Sequence, residues 1–153
     1  MKWLKQKAPK GCIFCGIARG DKSIPSKVVF RDRKFMVIMN TFPYNTGHVQ
    51  VIPLRHVNTL DELGEDDVKA MFTLVNRCVK MIDNALAPAG FNIGLNQGGE
   101  VAGASIAHLH VHVVPRYKRD VGFMEIISGT KVLPQTLDET FRKLKQHAGV
   151  LKG

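Results

Sequence analysis

Three histidines at alternate positions, in the run His108-Leu109-His110-Val111-His112-Val113-Val114, constrain this chain more than any other feature in it. Successive side chains of an extended strand point to opposite faces. The run can therefore bury Leu109, Val111 and Val113 only by placing three imidazoles together on one exposed face. This predicts a half-buried strand, and so a sheet, whose polar face carries groups that titrate near neutrality. An imidazole there can ligate a metal, move a proton or act as a nucleophile, and the spacing alone leaves all three roles open.

The neighbouring segments supply the partners that such a strand needs. Val28-Val29-Phe30 and Phe35-Met36-Val37-Ile38-Met39 flank the charged tetrad Arg31-Asp32-Arg33-Lys34 and suit a hairpin. Turn chemistry at Asn45-Thr46-Gly47 leads into a third strand, His48 to Ile52, whose odd and even positions face opposite sides up to Pro53. From Glu65, apolar residues recur at steps of three and four (Val68, Met71, Phe72, Val75, Cys78, Val79, Ile82, Leu86), and Glu65, Asp66 and Asp67 suit a positive helix N-terminus. The spacing predicts a helix of about six turns that stops near Pro88 and Gly90. Phe91 to Asn96 and Leu109 to Val114 read as two more strands, around a loop holding Gly98, Gly99 and Gly103. Thr136-Leu137-Asp138-Glu139 has capping-box spacing and opens a last helix that turns Leu137, Phe141 and Leu144 inward and closes near Gly149. The predicted class is α+β: an antiparallel sheet of about five strands, one long central helix and a C-terminal helix.

No linker or change of composition divides the chain, so residues 11–153 read as one domain behind a basic tail at 1–10. No apolar run is long enough to span a bilayer, and the opening lysines precede no signal-like apolar core, which makes a cytoplasmic location and no membrane partner the expectation. A formal charge of +9 favours a polyanion as partner: a nucleotide, a nucleic acid or an acidic membrane surface. Of three cysteines, Cys78 falls in the helical pattern, whereas Cys12-Ile13-Phe14-Cys15 has a spacing that suits a metal better than a disulfide.

The alternating histidines followed by Val113-Val114 resemble the defining motif of the histidine-triad (HIT) superfamily. The likeness runs from Cys12-Ile13-Phe14-Cys15 through Thr46 to Pro53 and Gly99 to Ser105 to the triad and Pro115-Arg116. It implies a HIT-like fold paired as a homodimer, and attack on the α-phosphate of an adenosine nucleotide through a nucleotidyl-histidine intermediate. Carried over by position, His110 is the nucleophile, its second ring nitrogen held by a backbone carbonyl, and His112 contacts the scissile phosphate and leaving oxygen. His48 is the family's fourth active-site histidine. Asn40 meets the ribose hydroxyls where many relatives have an acid, and Gln97 and Ser105 meet phosphate. The familiar Gly-Gln-Ser or Gly-Gln-Thr is here Gly103-Ala104-Ser105. Ile38, Phe42 and Leu54 are candidates for an apolar base pocket.

In zinc-bearing relatives, two histidines complete the cysteine pair, which implies a structural zinc on Cys12, Cys15, His56 and His108, with no organic cofactor. The stretch from Gly122 to Gln135 resembles the C-terminal segment of dinucleoside polyphosphate hydrolases and phosphorylases, which would put Arg116, Lys118 or Lys131 near the distal phosphates of a substrate such as diadenosine tetraphosphate. Water or inorganic phosphate could be the acceptor, so a phosphorolytic adenylyltransferase stays open beside a hydrolase, as does a non-catalytic nucleotide sensor. No motif supports a nucleic-acid substrate.

Overall fold

Alternation sorts the two faces of the sheet by residue parity. The computed structural model describes residues 11–120, 125 and 128–152; the basic tail at 1–10 and six residues of the 121–127 stretch lie outside the described residues. Five strands, β1 (Val28–Arg31), β2 (Phe35–Met39), β3 (Val49–Pro53), β4 (Gly90–Gly94) and β5 (Val111–Arg116), pair antiparallel in the order β1-β2-β3-β5-β4. The odd-numbered Val37, Met39, Val49, Val51, Leu109, Val111 and Val113 enter the main core with the long helix, Glu65–Leu86, while the even-numbered Met36, Ile38 and Ile52 enter a second core on the opposite face. Both faces are covered, so β2 and β3 are buried along their whole length. Each such valine or isoleucine contributes about 1.5–3 kcal/mol by leaving water.

The helix Ile13–Arg19, which the sequence pattern did not announce, is α1; Glu65–Leu86 is α2 and Leu137–His147 is α3. Helix α2 spans the expected residues, with Met71, Leu74, Val75, Cys78, Met81 and Ile82 buried. The capping box of α3 is present, the Thr136 hydroxyl accepting from the Glu139 N–H and the Glu139 carboxylate accepting from the Thr136 N–H. Helix α1 is two turns long and covers the even face with Phe14 and Ile17. None of the helices among the described residues is long and apolar enough to cross a membrane.

Candidate active site and metal centre

The even face of β2, β3 and the triad run floors a cleft of about 430 Å³, walled by Ile13, Phe14 and Ile17 of α1 and by the loop that follows β2. One expectation needs correction here. The triad does not lie along a strand with its imidazoles on an exposed face: β5 begins at Val111, and His108 and His110 precede it with 2% and 4% of their surface exposed. Helix α1 covers that face, with the Phe14 ring edge-on to both His108 (centroids 5.7 Å apart) and His110 (5.1 Å). The rings then diverge. His110 and His112 line the cleft, whereas His108 joins Cys12, Cys15 and His56.

Hydrogen bonds settle the tautomers in the cleft. His110 Nδ1–H donates to the His108 carbonyl at 2.8 Å, which leaves Nε2 with its lone pair. The Tyr44 N–H donates to His48 Nδ1 at 3.2 Å, so a neutral His48 carries its proton on Nε2 and donates it to His112 Nδ1 at 2.9 Å. His112 is left with an Nε2–H. The pair thus presents one bare nitrogen, on His110, beside one donor, on His112, with ring centroids 4.7 Å apart. That combination suits attack on an electrophile whose departing oxygen gathers negative charge.

Burial also keeps these rings neutral. Desolvation, with His112 and His110 adding repulsion, pushes His48 down from 6.5 to about 3, and desolvation, with His110 adding to it, pushes His112 down to about 4. Burial lowers His110 as well. The folded state therefore resists protons that the unfolded chain accepts below pH 6.5, so stability falls as pH falls, by about 1.4 kcal/mol per pH unit for each histidine. The urea midpoint is expected to be flat above pH 7 and to drop steadily below pH 6. His48→Gln should flatten that slope, and an unchanged slope would contradict the neutral relay.

The corner before His48 is clamped by the residues that follow β5. Gly47 has φ +88°, and a Cβ there would come within 2.6 Å of the Leu86 side chain, so glycine is required for the chain to turn against α2. Asp120 accepts from Asn45 Nδ2 (2.8 Å), from Arg116 Nε (2.7 Å) and Nη2 (2.9 Å), and from the Tyr117 N–H (3.1 Å). The Arg116 guanidinium holds the Asp120 carboxyl well below the usual carboxylate range. The Tyr117 hydroxyl donates to the Thr46 carbonyl at 3.0 Å.

The second cluster has the geometry of a closed metal site. The ligand atoms of Cys12, Cys15, His56 and His108 all lie within 4.8 Å of one another. Cys12 Sγ to His108 Nδ1 is 3.2 Å, Cys15 Sγ to His56 Nδ1 3.3 Å, Cys15 Sγ to His108 Nδ1 3.6 Å, and the two Nδ1 atoms are 3.2 Å apart. Donors around a tetrahedral ion at about 2.0–2.3 Å from each would stand roughly 3.3–3.8 Å from one another, close to these four separations. His108 Nε2–H donates to the Pro53 carbonyl at 2.9 Å, which turns the Nδ1 lone pair toward the other three donors. Cys78, deep in the α2 core with its thiol pushed up to about 12 by burial, takes no part.

The remaining expected residues divide. Asn40 and Ser105 line the cleft, Asn40 using Oδ1 to accept the Phe42 N–H at 2.9 Å and so keeping its amide NH₂ available. Gln97 lies outside the lining: the loop after β4 packs it on the turn at Leu60, where its Oε1 accepts the Leu60 N–H at 3.0 Å. Ile38 and Phe42 are in the cleft wall, whereas Leu54 packs on the second core and does not line it. Arg116, Lys118 and Lys131 do not reach the cleft either. Arg116 is held by Asp120 and Asn92, and the two lysines border a separate hollow of about 820 Å³ beside the end of α2, which contains none of the histidines. Sequence reasoning missed Ile13, Phe14 and Ile17, which form the apolar end of the cleft, and Tyr44, whose ring stacks on His48 at 4.9 Å and 27°. The apolar residues between and after the two cysteines were the only available signal.

The HIT domain family model matches residues 21–119. This chain belongs to the histidine-triad family. Among curated HIT relatives, it is 41% identical over 117 residues to the AP-4-A phosphorylase of Mycobacterium tuberculosis, covering 76% of this chain and 60% of that protein. It is 32% identical over 104 residues to the asymmetrical bis(5'-nucleosyl)-tetraphosphatase of Schizosaccharomyces pombe, covering 68% of this chain and 57% of that protein. The chain thus spans less than two thirds of either relative. A zinc-bound histidine-triad family protein from Mycobacterium smegmatis superposes with a TM-score of 0.76 at 29% identity, covering 93% of this chain and 96% of that one. The five-stranded antiparallel sheet with its helices is the HIT fold.

Proposed function

We propose that the chain cleaves adenosine nucleotides at the α-phosphate through a nucleotidyl intermediate on His110. The observation that carries this reading is the His110 Nδ1–H bond to the His108 carbonyl, which leaves Nε2 as the free nucleophile at the cleft. In the first step Nε2 forms a bond to the α-phosphorus and the bond from phosphorus to the leaving oxygen breaks, with both electrons going to that oxygen. His112 Nε2–H offers it a hydrogen bond, and His48 fixes the His112 tautomer. Because the whole relay is neutral, His112 stabilises charge rather than surrendering a proton, which suits leaving groups that are content as anions. A polyphosphate is such a group; an amine is not. In the second step water, losing a proton to solvent, or inorganic phosphate attacks the phosphorus from the vacated side, and the breaking P–N bond returns its electrons to His110.

Asn40 would hold the ribose hydroxyls, Ser105 the phosphate, and the Ile13, Phe14, Ile17 and Ile38 end of the cleft the adenine. Substrates with a nucleoside at each end of a polyphosphate, the class named in the two relatives above, fit this chemistry and the net charge of +9. Product analysis by mass spectrometry decides the matter: diadenosine tetraphosphate should give AMP and ATP by hydrolysis, or ADP and ATP in the presence of inorganic phosphate. Absence of products under both conditions would sink the proposal.

A structural zinc ion on Cys12 and Cys15 Sγ and on His56 and His108 Nδ1 accompanies this reading, supported by the donor spacing and by the zinc-bound relative. Its place is to anchor α1 to His108, two residues before the nucleophile. We also take residues 11–153 as one domain that pairs with a second copy. Strand β4 is an edge of the sheet whose outer residues are exposed, Ile93 at 47%, and a two-fold partner would cover its unpaired backbone. Light scattering should give twice the chain mass, and Ile93→Lys should shift it toward the monomer.

A further inference from the structure

Two large aromatic side chains stand exposed on the cleft wall, Phe42 at 57% and Tyr44 at 59%, with only Pro43 between them. Exposed aromatics scattered singly need no explanation, but a pair beside a ligand cleft does. The cleft, about 430 Å³, sits at the lower end of the range for small-ligand sites and has one apolar end, formed from α1 and Ile38, so it accommodates one nucleoside. Whatever lies beyond the bond that His110 attacks must leave past His112. Tyr44 lies beside that exit: its ring stands 5.9 Å from the His112 ring, and its inner face is already stacked on His48 at 4.9 Å. The stack fixes the ring's orientation, and the outer part of the ring is the exposed part. Proline between the two aromatics restricts the backbone, so little entropy is lost when a ligand settles on them.

We propose that Phe42 and Tyr44 form a stacking platform for the second, departing nucleobase of a dinucleoside polyphosphate. The proposal rests on the function given above for the substrate class and adds the feature that selects two-base substrates over one-base polyphosphates. Every nucleobase offers a π-face, so the platform would be tolerant of base identity.

The test uses the full chain carrying His110→Asn, expected to bind without cleaving, and two ligands with four phosphates each, compared at an ionic strength high enough to screen the extra charge of the free terminal phosphate: diadenosine tetraphosphate, with two bases, and adenosine 5'-tetraphosphate, with one. Titration calorimetry should show tighter binding of the two-base ligand. Tyr44→Ala should lower its affinity about 5–100-fold while lowering that of the one-base ligand much less, Phe42→Ala should do the same more weakly, and Tyr44→Phe should preserve the preference. Any loss that reaches the site through His48 is common to both ligands and cancels in the ratio. Equal affinities for the two ligands before substitution, or equal losses on Tyr44→Ala, would overturn the platform. Failure of the catalytic reading is separate: the unsubstituted protein would yield no products, while the affinity ratio would still report on the platform.

Discussion

His110→Asn is expected to reduce turnover of diadenosine tetraphosphate by about 10⁴-fold or more, because it removes the atom that forms the intermediate rather than one that assists it. Asparagine keeps a donor near the His108 carbonyl and is smaller than the imidazole it replaces at a buried position, so the fold should survive with a modest loss of stability. A single-turnover assay with labelled substrate separates the outcomes. The parent protein should carry the nucleotidyl group on His110 after an alkaline denaturing quench, which spares the acid-labile P–N bond, and the variant should carry none at any time. A variant within about tenfold of the parent rate would show that the attacking group is water or another side chain. His112→Asn should be less severe, about 10²–10³-fold, since it removes a hydrogen bond to a charge that a polyphosphate can bear alone.

The second large effect concerns the quartet. Cys12→Ser with Cys15→Ser should abolish bound zinc, measured by metal analysis at about one ion per chain in the parent. It should also destabilise the protein by about 3–5 kcal/mol, since a closed site contributes its binding free energy to folding but the α2 core folds without it. For a chain of this size that is a fall of roughly 10 °C in Tm. The loss should be local as well: amide exchange should rise through α1 and the turn that holds His56 while α2 stays protected. Parent protein purified without chelators and free of metal, or a double variant of unchanged Tm, would remove zinc from the account.

The sequence disclosed most where a pattern is repeated. Helix α2 spans Glu65–Leu86 as its spacing required, because eight apolar positions over six turns leave one solution, and the capping box at Thr136 opens α3 where its residues place it. The sheet followed from alternation. What failed to show was short or tertiary. Helix α1 has seven residues, a glycine at position 16 and no repeated stripe, so nothing local distinguishes it from a loop; its apolar residues are held by the even face of a sheet that the chain builds later. For the same reason the triad looked exposed, since α1, its cover, had not been foreseen. Spacing and resemblance named Cys12, Cys15, His56 and His108, which the fold brings together, and His110, His112, Asn40 and Ser105, which line the cleft, with His48 bonded to His112. Gln97 does not line the cleft, because the ten residues of loop between it and His108, three of them glycine, let it turn to Leu60 instead. Tyr44 escaped because its importance lies in a backbone N–H and a stacked ring, neither of which has a sequence signature.

The parity of the sheet bears on how such a chain can change. Positions 36, 38, 40, 48, 50, 52, 110 and 112 face the cleft side, and their odd neighbours from 35 to 39, 49 to 51 and 109 to 113 face α2. A point substitution at 38, 40 or 50, which line the cleft, alters what it accepts and leaves the α2 packing untouched, so new ligands can be explored one residue at a time. An insertion or deletion of a single residue inside β3 or the triad run exchanges the two sets at once, putting valines into the cleft and imidazoles against α2. Variation here is free in composition and closed in length, and the loops are where descendants of this chain can grow.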